Sequence, residues 1–227
     1  FVAQGHLNEP VVRAHHEYGG RVWVRDGAAF GHELERLIGL YDRAVTEVQL
    51  NLLGSHDSPR FRTMASEDRA SYHLAVLLQA TLPGAPCTYY GDEVGIVGGN
   101  DPDCRRAFPW DESAWDVEGL AWTRAVYAAR RAQPALRRGA FRVAGAADAA
   151  LAFVRDGDAG GQPVLVVVNA GEWPVEVPVG VEELGGATLV DAPLPDAVGR
   201  QPVEVGPDGR AAIGVPPRTG RLLTRSG

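Results

Sequence analysis

Val48–Arg60, VQLNLLGSHDSPR, decides how this chain folds. An apolar run of strand character ends in a polar pair, His56 and Asp57. Side chains that finish a buried strand stand at the rim of a sheet, where a scaffold holds them rigidly while a ligand can still reach them. Pro86–Gly95, PCTYYGDEVG, repeats the arrangement with Asp92 and Glu93 at its end, and a helical stretch separates the two runs. Two strand–helix units with acids at their strand ends predict part of a parallel (β/α)8 TIM barrel.

Neighbouring segments fill in that frame. Phe30, Leu34, Leu37, Ile38 and Tyr41 recur at helical spacing over Ala28–Tyr41 and predict an amphipathic helix packed outside the barrel. Val48–Leu53 then reads as a strand buried on both faces. Ser66, followed by Glu67 and Asp68, is the expected N-cap of a helix running to about Leu82, ended by Pro83-Gly84. After the Pro86–Tyr90 strand comes a long Gly-, Asp- and Pro-containing segment, Gly95–Asp116, whose length marks it as a binding loop. Glu118–Arg131 is the next helix, closed by Pro134. Residues 1–26 hold an extended-looking run, Arg21–Val24, and no barrel signature.

From Gly139 the composition shifts to Val, Gly and Pro in short alternating runs. Leu151–Arg155, Val164–Val168, Val175–Val179, Thr188–Val190, Val203–Val205, Ala211–Val215 and Arg221–Thr224 are the expected strands, and together they predict an all-β antiparallel sandwich. The expected division is 1–138 for the barrel portion and 139–227 for the sandwich. A complete barrel takes about 250 residues, so a chain of 227 residues that also carries the sandwich has room for part of one. The chain is therefore expected to be the C-terminal piece of a longer protein.

Charge and composition exclude some partners. The net charge is −7, with basic residues gathered only as Arg105-Arg106, Arg130-Arg131 and Arg137-Arg138, which argues against a nucleic-acid partner. No apolar run approaches the 18 or so residues of a membrane span. A leader would lie upstream of Phe1, so the compartment stays open, with the cytoplasm as the default. The two cysteines form no C-x-x-C pair. Cys87 reads as a small buried strand residue and Cys104 as a more open loop residue.

Three segments carry a family resemblance: NLLGSHDSPRF (51–61), LPGAPCTYYGDEVG (82–95) and GGNDPDCRRAFPWDE (98–112). In that order they resemble the seventh strand, the eighth strand and the following loop of the α-amylase superfamily, glycoside hydrolase family 13, and most of all its neopullulanase, cyclomaltodextrinase and maltogenic amylase branch. The likeness spans roughly Ala28–Gly139. It implies retaining hydrolysis of α-glucosidic bonds in maltodextrins, cyclodextrins or pullulan. Such a site needs a nucleophilic carboxylate and a protonated carboxylic acid about 5 Å apart.

By motif, Asp57 corresponds to the family's third acid, a transition-state stabiliser that binds the 2- and 3-hydroxyls of the sugar. His56 corresponds to its neighbour in the same subsite. Asp101 and Arg105, four residues apart, correspond to the pair that binds the adjacent glucose, and Arg60 is expected either at the substrate or against Asp57. The family's nucleophile and acid/base motifs have no counterpart here, so the chain alone is expected to be inactive. Trp110 and Trp115 are candidates either for packing within the loop or for stacking on sugar rings.

Two other readings compete. In one the chain is a non-catalytic carbohydrate-binding or structural module, with the β tail supplying the fold. In the other Asp92, Glu93, Asp101 and Asp103 hold a hard cation such as calcium, whose preference is for oxygen ligands, although no EF-hand spacing supports this. No metal site and no cofactor are expected, and the expected partner is an α-glucan.

Overall fold

The computed structural model describes residues 1–17, 23–157, 161–197 and 199–226. The Arg21–Val24 run lies partly outside these. Within them, α1 (Glu9–Glu17), α2 (Gly27–Ile38) and α3 (Arg43–Thr46) precede β1 (Leu50–Leu52). After β1 come α4 (Phe61–Met64), α5 (Arg69–Thr81), β2 (Ala85–Cys87), α6 (Val117–Ala132) and α7 (Pro134–Arg138). β1 and β2 pair in parallel, Leu50 opposite Ala85 and Leu52 opposite Cys87, with α5 as their crossover. This is a strand–helix–strand unit of a partial barrel.

A polar clip sets its spacing. The buried Gln79 of α5 donates from Nε2 to the carbonyls of Asn51 (2.9 Å) and Cys87 (3.0 Å), and Asn51 Nδ2 donates to the Pro83 carbonyl (2.9 Å). One amide thus reaches both strands, and each polar group taken from water has a partner.

Several boundaries differ from the sequence expectations. β1 is shorter than Val48–Leu53 and is not buried on both faces: Leu50 and Leu52 are 61% and 52% exposed, because among the described residues only β2 flanks the strand and only the Asn51 side turns to α5. Ser66 is not the cap of α5. Ser66 and Glu67 take left-handed φ values of 50° and 60°, which turn the chain before the helix, and the Asp68 carboxylate accepts the Ser71 N–H at 2.7 Å instead. Pro134 does not simply close α6. It begins α7, where its missing N–H costs nothing. Helix α2 stops at Ile38, leaving Tyr41 exposed, and packs on β3 and β4 of the antiparallel sheet: Glu35 accepts the Val143 N–H at 3.0 Å.

The remaining strands are β3 (Phe141–Ala147), β4 (Ala150–Arg155), β5 (Val164–Asn169), β6 (Val175–Gly180), β7 (Thr188–Asp191), β8 (Val203–Glu204), β9 (Arg210–Val215) and β10 (Thr219–Arg225). Six of them form an antiparallel sheet in the order β3-β4-β5-β10-β7-β8, and β6 pairs with β9 in a second, smaller sheet. β3 is not among the expected strands. FRVAGAA is poor in β-formers, and Gly145 marks a register shift in it, where an added Cβ would lie 2.0 Å from the Pro178 carbonyl oxygen.

The centre of the large sheet, β4 and β5, is buried on both faces, which explains the unbroken apolar run of β5. Leu151, Phe153, Val164, Val166, Val168 and Leu222 meet Tyr72, Leu74, Leu77, Trp122, Val126 and Leu136 from the helices. The alternate residues Ala152, Val154, Leu165, Val167 and Leu223 meet Val177, Val179, Ile213 and Val215 of the small sheet. Period-two alternation thus feeds two cores, and the helical layer and the β layers share one of them. At that junction Arg155 is fully buried. It donates to the carbonyls of Thr81 (2.5 Å), Leu136 (3.0 Å) and Gly139 (2.7 Å).

Candidate functional site

Past β1 the chain turns on two serines. Ser55 N–H donates to Ser58 Oγ and Asp57 N–H to Ser55 Oγ, each at 3.1 Å. This turn projects His56 and Asp57 outward, Nε2 3.1 Å from Oδ2, with side chains 66% and 78% exposed. Both groups are thus open to a ligand.

The second candidate pair stands on the loop after β2. Asp101 and Arg105 form an exposed ion pair one helical turn apart. Beside it Arg106 grips Asp103 through two bonds of 2.8 and 2.9 Å. That guanidinium, and secondly the Gly99 N–H, hold the Asp103 carboxyl below its usual range. The loop departs from β2 through Gly91, whose φ of +83° and 2.0 Å clearance to Ile96 admit no side chain. In the loop's distal part Trp115 is tucked in, its indole N–H donating to the Pro109 carbonyl at 2.7 Å. Trp110 leans on Phe108 with ring centres 4.9 Å apart and is 85% exposed, so packing accounts for Trp115 and not for Trp110.

Arg60 is where the structure departs most from expectation. It neither faces solvent nor pairs with Asp57. Its side chain is wholly buried and Nη1 lies 2.8 Å from Asp92 Oδ1. Nη1 also donates to the Tyr90 carbonyl (2.7 Å) and Nε to the Cys104 carbonyl (2.9 Å). The guanidinium stacks 4.1 Å from the Tyr89 ring centre and 4.7 Å from that of Tyr90. Arg60 is the N-cap residue of α4, and its own N–H donates to the Gly98 carbonyl at 3.0 Å, which ties it to the loop after β2 and leaves its long stem running inward.

Cys104 is likewise not open. It is fully buried, and its thiol donates to the His56 carbonyl at 3.2 Å. Cys87, expected buried, is half-buried. The Cys104 contact brings the two candidate pairs together, because the residue next to Arg105 in sequence touches the backbone of His56. Sequence reasoning missed this link, since a cysteine flanked by charges carries no signal of burial.

Burial pushes Asp92 up to about 6, with Glu93 adding to the effect and Arg60 opposing it. His73, in α5, is stacked on Trp122 at 4.8 Å, and burial pulls it down to about 4. The two shifts have opposite consequences for stability. His73 favours its neutral form when folded, so its contribution is present above about 6.5 and is lost as pH falls towards 4. Asp92 favours its neutral form too, so its contribution is present below about 3.8 and is lost as pH rises through 6. Between pH 4 and 6.5 the two slopes offset one another. Thermal midpoints followed by circular dichroism across this window should rise on acidification in H73F, which keeps the stack, relative to wild type, and fall relative to wild type in D92N.

Asp92, Asp101 and Asp103, considered above as cation ligands, are each engaged by an arginine. Among the described residues no three His, Cys, Asp or Glu side chains gather as a metal-ligating group. No helix among them is long and apolar enough to cross a membrane.

The chain is similar to known proteins. The family described as alpha amylase, catalytic domain, matches residues 20–128. A cyclomaltodextrinase from a Bacillus species is 40% identical over 148 residues, covering 64% of this chain and 26% of that protein. Neopullulanase 2 of Thermoactinomyces vulgaris is 38% identical over 164 residues, 71% of this chain and 28% of that one. The solved structure of Ttha1563 from Thermus thermophilus superposes with a TM-score of 0.84 at 29% identity, over 99% of this chain and 45% of its own. The chain thus spans about a quarter of the length of the curated relatives it matches.

Proposed function

The chain belongs to the α-amylase superfamily, and from that premise we propose that it is the sugar-gripping portion of a retaining α-glucan hydrolase, acting on maltodextrins, cyclodextrins or pullulan. In this reading residues 1–138 complete a catalytic barrel and residues 139–227 form its C-terminal β domain. Asp57 accepts hydrogen bonds from two adjacent sugar hydroxyls and His56 binds in the same subsite. The grip tightens as the ring flattens towards an oxocarbenium ion, which is binding realised in the transition state. Asp101 and Arg105 offer an acceptor beside a planar donor fork, a match for the vicinal hydroxyls of the next glucose.

One observation carries the proposal: the exposed His56–Asp57 pair and the Asp101–Arg105 loop meet through the Cys104–His56 contact at the ends of two parallel strands. In this reading one sugar chain engages both pairs. The nucleophile and the acid/base belong, in this proposal, to preceding strands of a longer protein. Incubated with maltodextrin or cyclodextrin, this chain should release no reducing sugar above the blank, while the longer product of its reading frame should. Release by this chain alone would assign cleavage to residues within it and overturn the division of labour.

A further inference from the structure

We infer that Arg60 is a positioning residue that sets the spacing between the His56–Asp57 couple and the Asp101–Arg105 pair. Its functional meaning rests on the reading of those four residues as sugar contacts, whereas its geometry stands apart from that reading. Three backbone carbonyls converge on it. Its own N–H donates to the Gly98 carbonyl at 3.0 Å, and its side chain donates to the carbonyls of Tyr90 (2.7 Å) and Cys104 (2.9 Å). Three residues upstream stands Asp57. Cys104 passes the connection on to the His56 carbonyl at 3.2 Å. Two smaller bonds brace the same loop: Gly98 N–H to Thr63 Oγ1 (2.8 Å) and the Tyr90 hydroxyl to the Arg106 carbonyl (2.8 Å).

Stability alone does not account for such a residue. A buried ion pair returns little more than its desolvation cost and is often matched by apolar side chains of similar volume. Here the cost is visible, since burial drives Asp92 towards its neutral form and Arg60 Nη2 is buried with no hydrogen-bond partner. What an apolar side chain cannot supply is a rigid fork whose N–H groups point to separate carbonyls at fixed angles, and a lysine, with one flexible ammonium, cannot supply it either. The aromatic rings of Tyr89 and Tyr90 hold the plane of the fork. The same guanidinium therefore fixes where the loop after β2 lies relative to the turn after β1.

The test uses the whole chain with Cys87→Ala, so that Cys104 is its one thiol. In Arg60→Met, and in Arg60→Lys, which keeps the charge beside Asp92, modification of Cys104 by an aromatic disulfide reagent should accelerate at least tenfold. Amide exchange at residues 56–57 and 98–105 should rise by a similar factor, while α6 and β5 stay within twofold. Asp92→Asn, which leaves both carbonyl bonds of the fork in place, should keep Cys104 protected to within threefold. Exchange that rises equally everywhere would mark Arg60 as a general stabiliser and overturn the inference, as would a Cys104 that stays protected in Arg60→Lys. All of this is measured without sugar. A wild-type chain that fails to bind maltotriose would remove the proposed function while leaving the exchange result to decide the role of Arg60.

Discussion

Replacing Arg155 by alanine should lower the free energy of unfolding by about 4 kcal/mol, adding lost hydrogen bonds to a cavity. The side chain ends β4 and is fully buried. It donates to the last carbonyl of α5, to Leu136 in α7 and to Gly139 on the way into β3. Those carbonyls belong to helix ends, which have no partner inside their own helices. Arg130 performs the same service nearby, donating to Ala80 (2.6 Å) and Gly84 (2.6 Å). Each of these contacts is to a backbone carbonyl, and burial, followed by repulsion from Arg130, drops Arg155 to about 9, with Asp156 and Glu47 opposing the shift. The ion itself is therefore costly, and its value lies in the carbonyls it satisfies. Arg155→Met restores volume without a donor and should still cost about 2 kcal/mol. Urea denaturation of both variants checks this. A loss under about 1 kcal/mol in Arg155→Ala, no more than one ordinary hydrogen bond, would mean that those carbonyls find other partners, and the junction between helices and sheet would then need a different account.

In the longer hydrolase proposed above, Asp57→Asn should lower kcat on maltotriose by about a thousandfold, with KM changing far less. That pattern is expected of a group whose hydrogen bonds strengthen in the transition state. Asp101→Ala should do the reverse, raising KM with little effect on kcat, because contacts with a neighbouring glucose hold ground state and transition state alike. Steady-state kinetics over a range of maltotriose concentrations separates the two. An unchanged kcat in Asp57→Asn would remove this residue from the chemistry.

How much of this is legible in the sequence differs between backbone and side chains. The strand–helix–strand unit follows from Val48–Arg60 and Pro86–Gly95 because short apolar runs ending in polar turns leave few alternatives. The β tail follows from alternation, apart from β3, whose alanines and Gly145 give no propensity signal and which is held by pairing along β4. The cap of α5 is ambiguous in sequence because Ser66, Glu67 and Asp68 all have capping chemistry, and only the left-handed turn at the first two decides among them. For the site, motif order picks out His56, Asp57, Asp101 and Arg105, each of which the structure leaves exposed. Arg60 and Cys104 go the other way, inward, because the direction of a side chain after a tight turn depends on tertiary closure that no local pattern encodes.

The central claim is that the His56–Asp57 couple binds sugar, and it is tested most directly by titrating maltotriose into the isotopically labelled chain while following the imidazole resonances of His56. A saturable shift of those resonances is predicted, abolished in Asp57→Ala and accompanied by shifts at Asp101 and Arg105. Saturable binding that leaves His56 unmoved, or that persists unchanged in Asp57→Ala, would contradict it.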